Sequence, residues 1–378
     1  MKFATAGLAA LLALCAQSAV ASDGPLALNH VWSRLADVNG EYGSVESAEF
    51  DPASTRIATG TKFDNTVRVF RVSDGFELWS RTVPQEIERV AWSRDGTRVM
   101  SVSEDGLLRV FDAEAGGLIA RHQHQNGIDG LTVSHDGRFV VSGQERVEGE
   151  GVLRVFDGGA NMIVAALPFP GTVNEVDFSL DDRMLAAVGD YTARIYRTDS
   201  DDPDNWVLAH EWTLPAEAGP YGRDNIYINT KFSPDGRYLA VGGAFGFVYL
   251  FDTSSGELLR TLQKSVEKTE TVAWTSDGNY LLVAGNGMTI DFFRTADILN
   301  VDYRNSEQVP FALRVPVTDA LEYMDFNATG SLLTTAHQDG TVQLWTFMSD
   351  DPTINDRQHR SVRREQDAAA REGGRYVD

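Results

Sequence analysis

Trp92-Ser93-Arg94-Asp95-Gly96, Phe232-Ser233-Pro234-Asp235-Gly236 and Trp274-Thr275-Ser276-Asp277-Gly278 are variants of one phrase. An aromatic residue closes an apolar run, and a short polar turn ending in Asp-Gly follows. The hydroxyl accepts a backbone hydrogen bond, and the glycine takes the positive φ that a tight reversal needs. Looser copies stand at Phe50-Asp51-Pro52-Ala53, Val133-Ser134-His135-Asp136-Gly137, Phe178-Ser179-Leu180-Asp181-Asp182 and Phe326-Asn327-Ala328-Thr329-Gly330. The seven anchors are spaced 42, 41, 45, 54, 42 and 52 residues apart, so one unit recurs with two insertions. A fixed period of this length means that each repeat is a supersecondary unit burying its apolar face against its neighbours.

Within each unit the chain reverses at the turn into a second apolar strand rich in small residues, such as Ile57-Ala58-Thr59-Gly60, Val140-Val141-Ser142-Gly143 and Leu239-Ala240-Val241-Gly242. Small side chains suit strands near a crowded axis. A third strand ends on an aromatic in every repeat: Phe70, Phe111, Phe156, Tyr196, Phe251, Phe293 and Trp345. Farther from the axis the units splay apart, and a large ring fills the wedge. Each buried ring contributes roughly 1.5–3 kcal/mol. The pattern predicts an all-β, seven-bladed β-propeller. The seventh repeat supplies only three strands before Ser349. Trp32-Ser33-Arg34 repeats the outer-strand phrase Trp79-Ser80-Arg81, which makes the N-terminal segment the missing outer strand and closes the ring.

The third strands Leu108-Arg109-Val110-Phe111-Asp112, Leu153-Arg154-Val155-Phe156-Asp157 and Val248-Tyr249-Leu250-Phe251-Asp252 resemble the Trp-Asp ends of WD repeats, with Phe in place of Trp. Asp64, Asp105, Asp190 and Asp339 each lie six residues before their aromatic, matching the structural turn Asp of that family, and Glu150 has the same offset. The resemblance covers about residues 30 to 347 and implies an interaction scaffold. The His that partners the turn Asp in the family has one counterpart, His124. The other six repeats carry Glu41, Val83, Phe169, Arg223, Ser265 and Val317. The four Asp residues are therefore expected to cap amides of their own turns.

Lys2, an apolar stretch from Ala6 to Ala16 and Ala19-Val20-Ala21 compose a secretory signal, residues 1–21, with the propeller occupying residues 22–348. Leu14 is too bulky for Cys15 to serve as a lipidation site. Cys15 is the only cysteine, so a processed chain has no disulfide, thiolate zinc site or cysteine nucleophile, which fits a bacterial, periplasmic or secreted protein. With 55 acidic against 33 basic residues, net −22, the chain repels nucleic acid and anionic lipid and favours cationic partners. No later segment is apolar for long enough to insert in a membrane, and a monomer is expected.

Counting four residues back from each anchor gives Glu46, Glu88, Asp129, Asn174, Ile228, Glu270 and Glu322, five of them acidic, at the start of the innermost strand. This predicts a carboxylate ring at one channel mouth that binds a basic peptide, an amine or a metal ion. Insertions at residues 147–151 and 215–225 lengthen connections on the same face. The second carries Tyr221 and Arg223, residue types common in binding hot spots. The run from Asp199 through Asp201 to Asp204 offers oxygen ligands for calcium, without the register of a helix-loop-helix site. His122 and His124 have zinc-ligand spacing but lack further ligands. Ser103-Glu104-Asp105-Gly106 approaches the Asp-box of sialidases, but Leu108 and Val110 replace its later Thr and Trp. No catalytic set emerges. A binding scaffold is the expected function, and a metal-dependent propeller enzyme of the lactonase type is the alternative. Residues 349–378 form a charged tail, disordered or a short helix, with Arg357, Arg360, Arg363 and Arg364 on one helical face.

Overall fold

The computed structural model describes residues 20–21, 26–38, 43–214, 225–263, 265, 267–303 and 305–349. Seven sheets of antiparallel strands stand around one axis. In the first blade the strands run Val45–Phe50, Arg56–Thr61, Thr66–Arg71 and Glu77–Thr82 from the axis outward, and the next five blades repeat the order. The seventh takes Leu321–Phe326, Leu332–His337 and Thr341–Met348 from the C-terminal side. Its outer strand is Ala27–Leu35, paired antiparallel so that Ala27 faces Met348 and Leu35 faces Thr341. The expected closure is what the chain adopts. Val20–Ala21 adds a two-residue bridge to Leu313–Arg314 at the outer edge of the sixth blade, while residues 1–19 lie outside the described set.

Every anchor ends its innermost strand, and the turn behind it is built as its chemistry requires. In the second blade Ser93 Oγ donates to Asp95 Oδ1 (2.6 Å) and accepts from the Arg98 amide (2.9 Å), and Gly96 sits at φ +69°. Ser134, Ser179, Ser233 and Thr275 make the same bond to the Asp two residues on. Small residues on the second strand are a packing requirement. A Cβ on Gly60 would lie 2.5 Å from Ile87 Cγ2 of the next blade, and one on Gly143 would lie 2.4 Å from Val173 Cγ1. The third-strand aromatics are all buried, from Phe156 at 0% exposure to Trp345 at 7%.

The outer strands latch blade to blade. Trp32 Nε1 donates to Val72 O (2.8 Å) and Trp79 Nε1 to Ala113 O (2.9 Å), each carbonyl belonging to the turn after the next blade's third strand. His122 and His210 make the corresponding bonds to Ala160 O (2.8 Å) and Thr253 O (3.0 Å). Arg34 and Arg81, two residues beyond their tryptophans, bond Gly75 O (2.9 Å) and Ala115 O (2.6 Å). The repeated Trp-Ser-Arg phrase is thus an inter-blade clamp, and Trp32 applies it across the closure.

The long repeats carry their extra residues outside the sheets. A four-residue helix, Thr295–Ile298, and a short 3-10 turn, Ser306–Gln308, lie between the third and fourth strands of the sixth blade. In the fourth blade Pro203–Asn205 forms a 3-10 turn capped by Asp202. Among the described residues no helix is long and apolar enough to cross a membrane.

The turn aspartates depart in part from the expectation. Asp105 and Asp339 accept from the amides of Leu107 (3.1 Å) and Thr341 (2.9 Å), as own-turn caps do. Asp64 and Asp190 instead accept from Val38 (3.1 Å) and Thr172 (3.0 Å), in the connections arriving from the preceding outer strands. Asp64 and Asp105 also bind Arg68 and Arg109, four residues on, through both carboxylate oxygens. Arginine two positions before the third-strand aromatic replaces the missing His as the charged partner.

Replacing Trp32 by Ala removes a buried ring and a closure hydrogen bond at once. We expect a loss of about 3–5 kcal/mol, the range for deleting a buried large aromatic, read as a lower urea midpoint. Trp79→Ala should cost a similar amount if the two clamps are equivalent.

Candidate functional site at the channel mouths

The innermost strands share an irregularity that builds the site. In six blades the pairing register slips by one residue between the anchor−5 and anchor−3 positions, as between Val45 and Ser47 or Ile87 and Arg89. The extra residue is Glu46, Glu88, Asp129, Ile228, Glu270 or Glu322. A β-bulge leaves its extra residue unpaired and re-aims its side chain. Here six bulges in one phase aim those side chains at one channel mouth, so the residues singled out by counting from the anchors converge there.

They form an arc rather than a ring. Glu270, Glu322, Glu46, Glu88 and Asp129 come from five consecutive blades, the sixth and seventh followed by the first three. Asn174 and Ile228, expected to continue the circle, interrupt it. Asn174 spends its Nδ2 on Tyr227 O (2.7 Å), and Ile228 is apolar and buried. Arc members raise one another's pKa. Burial first, and then the Glu322 charge, push Glu46 up to about 7. Burial, followed by Glu145 and Glu104, pushes Asp129 up to about 8. Burial and the neighbouring Glu46 and Asp129 hold Glu88 well above the carboxylate range, and burial raises Glu270 and Glu322. Partial compensation comes from Lys268 on Glu270 (2.7 Å) and Gln338 on Glu322 (2.5 Å). Lys62 is paired with Glu86 (3.1 Å).

A second tier of carboxylates was not read from the sequence. Glu86 precedes the innermost strand of the second blade, Glu104 follows that blade's second strand, and Glu145 lies in the second strand of the third blade. Glu86, Glu88 and Glu104 bring carboxylate oxygens within 4.8 Å of one another, and so do Glu104, Asp129 and Glu145. Glu104 belongs to both groups. Glu104 and Glu145 share one repeat position, twelve residues after their anchors, but the other blades carry Lys62, Asp190, Ala244, Asn286 and Gln338 there, so no repeat-wide signal marks it; Glu86 meets Glu104 within the second blade, and Glu145 joins from the third.

Asp199, Asp201 and Asp204, the residues singled out for calcium, are not brought together into one carboxylate group. Asp199 pairs with Arg197 (3.3 Å), Asp201 with Arg138, and Asp204 has its amide capped by Asp202 (3.2 Å). Among the described residues, the carboxylate groups close enough for a metal are the two at the arc. His122 and His124 do not share a ligand position either. His122 is bonded to Ala160 O, whereas His124 is buried, bonds Ser142 Oγ (3.2 Å) and is held near pKa 3 by burial. The 147–151 insertion forms a lengthened hairpin between Phe139–Val147 and Glu150–Asp157. Tyr221, Arg223 and residues 350–378 lie outside the described residues.

Beneath the arc a buried ionic layer spans the axis. Arg89 Nε of the second blade meets Glu175 Oε2 of the fourth (3.0 Å), and the Arg89 guanidinium stands 5.3 Å from the Tyr323 ring of the seventh. Lys231 Nζ of the fifth blade bonds Asp177 of the fourth (3.0 Å). Below this layer, on the side of the Asp-Gly turns, a cavity of about 410 Å³ opens at the other mouth.

Comparison with known proteins agrees with this architecture. Residues 81–112 and 316–346 match the WD domain, G-beta repeat, family, so the chain is a seven-bladed β-propeller carrying WD repeats. It is 24% identical over 310 residues to THO complex subunit 3 of Arabidopsis thaliana, covering 80% of this chain and 89% of that protein. It is 37% identical over 90 residues to eukaryotic translation initiation factor 3 subunit I of Pyricularia oryzae, covering 22% of this chain and 26% of that one. With minichromosome loss protein 1 of Schizosaccharomyces pombe it shares 22% identity over 279 residues, 71% of this chain and 31% of the relative.

The raised carboxyls set a pH dependence. A carboxyl whose pKa rises on folding binds its proton more tightly in the folded chain, so its contribution to stability is largest below the unfolded pKa and is lost as pH climbs toward the folded one. For Asp129 that window runs from 3.8 to about 8. Asp129→Asn should therefore match the wild type near pH 4 and melt higher at pH 8.5. Each ~1 kcal/mol relieved corresponds to about 2–4 °C in a thermal scan.

Proposed function

We propose that this propeller is an exported interaction scaffold whose acidic arc receives a basic segment of a partner protein. The observation that carries the reading is the arc itself. Five carboxylates from five consecutive blades are held at one mouth on bulges that exist to turn them there, with pKa values raised by burial and mutual repulsion. Such a site is paid for in stability and relieved by cations. The second tier at Glu86, Glu104 and Glu145 extends the same field to the rim.

Three further observations support the reading. By name, two of the relatives are subunits of larger assemblies. The net charge of −22 steers cationic partners and disfavours nucleic acid. The N-terminal Lys2, apolar stretch and Ala-Val-Ala motif, with Cys15 as the single cysteine, support export to a bacterial periplasm or exterior, with signal removal after Ala21. The two carboxylate triads at the arc are also where calcium would be held if the mouth takes a metal, through Glu86, Glu88, Glu104, Asp129 and Glu145.

An octalysine peptide, titrated at low salt with and without calcium, tests the reading. The wild type should bind it, and Glu88→Lys with Glu270→Lys should reduce affinity by at least tenfold. The same charge change on the exposed run, Asp199→Lys with Asp201→Lys, should have little effect. Equal losses in both pairs would reduce the arc to one part of a general acidic surface and overturn the proposal.

A further inference from the structure

The cavity at the turn-side mouth plays no part in the reading above. It lies across the buried Arg89, Glu175 and Tyr323 layer from the arc. Its origin is legible one residue before each anchor. Four blades place Glu49, Asp177, Lys231 and Asp325 there, and three place Ala91, Thr132 and Ala273. The small residues leave the space, and the charged ones line it in two pairs that face each other across the axis, Glu49 with Asp325 and Asp177 with Lys231. At about 410 Å³ it falls within the usual range for small-molecule pockets, about 300–1,000 Å³.

The buried charges around the cavity do not balance. Asp177 is matched by Lys231 (3.0 Å), and at the rim Asp51 is matched by Arg56 (3.0 Å) and His135 bonds Asp182 (3.2 Å). Glu49 and Asp325, from adjoining blades, have only neutral hydrogen-bond donors. Tyr323 Oη donates to Glu49 Oε1 (3.2 Å), and the Phe50 amide donates to Asp325 Oδ2 (3.0 Å). Trp92, Phe178, Phe232 and Trp274 supply aromatic walls, and the turns at the rim add Arg94 and polar residues such as Ser134, Ser233 and Asn327. The carboxylate groupings close enough for a metal lie at the other mouth, among the described residues. The one buried cation, Lys231, is bonded to Asp177 and also acts on Glu49 and Asp325, so three carboxyls share a single positive charge; that shortfall, inside a cavity of organic-ligand size with aromatic walls, matches a cation carried on a carbon chain.

We propose that this cavity binds a guanidinium or primary ammonium group, received by the carboxyls of Glu49 and Asp325. Burial, and next the Asp325 charge, raise Glu49 to about 8, and burial raises Asp325 to about 6, repulsion that a bound cation relieves. The cation has two sources. One is a separate amine or a partner's side chain. The other is this chain, whose last described strand ends on the same face, where the Phe347 amide donates to Ser331 O (2.9 Å) beside the Asn327 turn of the cavity rim. Arg357 follows Ser349 by eight residues, a reach of up to about 28 Å when extended. Arg360, Arg363 and Arg364 follow.

Agmatine, which carries both cationic groups, is the probe. It is titrated calorimetrically into the full chain and into a full chain with Arg357, Arg360, Arg363 and Arg364 changed to Gln. Saturable one-to-one binding to either protein is expected. Tighter binding to the tail variant identifies the tail as the competing occupant, and equal binding assigns the site to an external cation. Glu49→Gln with Asp325→Asn should weaken binding at least tenfold. Ala273→Leu, which fills the cavity without altering charge, should do the same with an unchanged circular-dichroism spectrum. Glu257→Gln, on an exposed turn outside both sites, should leave agmatine affinity unchanged, and the octalysine titration of the arc variants reads the other mouth separately. Absence of binding to both full chains, or binding that survives both the charge and the filling variants, overturns the proposal.

Discussion

Eight residue pairs between a strand near the N-terminus and one near the C-terminus hold the ring shut. The pairing of Ala27–Leu35 with Thr341–Met348 gives the seventh blade its outer strand, and without it two neighbouring blades would lose a shared wall. A circular stack of sheets has no terminal blade to cap, so its stability rests on leaving no edge free. The Trp32 clamp to Val72 O shows that this junction copies an ordinary one. The N-terminal strand is a displaced piece of the last repeat, and its side chains meet the first blade as Trp79 meets the second.

With the ring closed, the axis becomes the place where seven strands must present side chains to one another. The propeller answers differently at different depths. At one mouth, bulges deliver like charges that Lys268 and Gln338 compensate only in part. In the middle, Arg89 and Glu175 form a buried cross-axis pair flanked by Tyr323. At the other mouth, alanine and threonine on three blades leave room beside charged residues on four. A buried pair of opposite charges is weak evidence for stability, because desolvation offsets much of the attraction. Its effect here is geometric, since it ties the second blade to the fourth across the axis, between the two mouths.

The arc illustrates how far counting along the repeat carries. Glu46, Glu88, Asp129, Glu270 and Glu322 were identifiable because they share a position in the period. The bulge that aims them was not, since a bulge is a feature of pairing between strands. The gap at Asn174 and Ile228 also needed coordinates, because Asn174 looks equivalent until its bond to Tyr227 O is seen. Glu104 and Glu145 share one position in the repeat, but with Lys62 and Gln338 among its counterparts that position carries no repeat-wide charge, and Glu86 meets Glu104 only through the pairing of two strands. The aspartate run at Asp199 to Asp204, rich in ligand oxygens by composition, is engaged in arginine pairing and turn capping.

Period, turn chemistry and the in-phase aromatics specified seven blades, their strand order and the closing strand, because these follow from local propensity and from a burial pattern repeated at fixed spacing. The pairing of the turn Asp with Arg68 and Arg109, in place of the family's His, is not legible in the sequence, since pairing four residues apart across a hairpin depends on how tightly the turn closes. The depth-dependent electrostatics of the channel belong to the folded ring alone. Like charges on separate blades acquire shifted pKa values only when the axis brings them into one narrow, poorly hydrated space, and no property of a single repeat sets that distance.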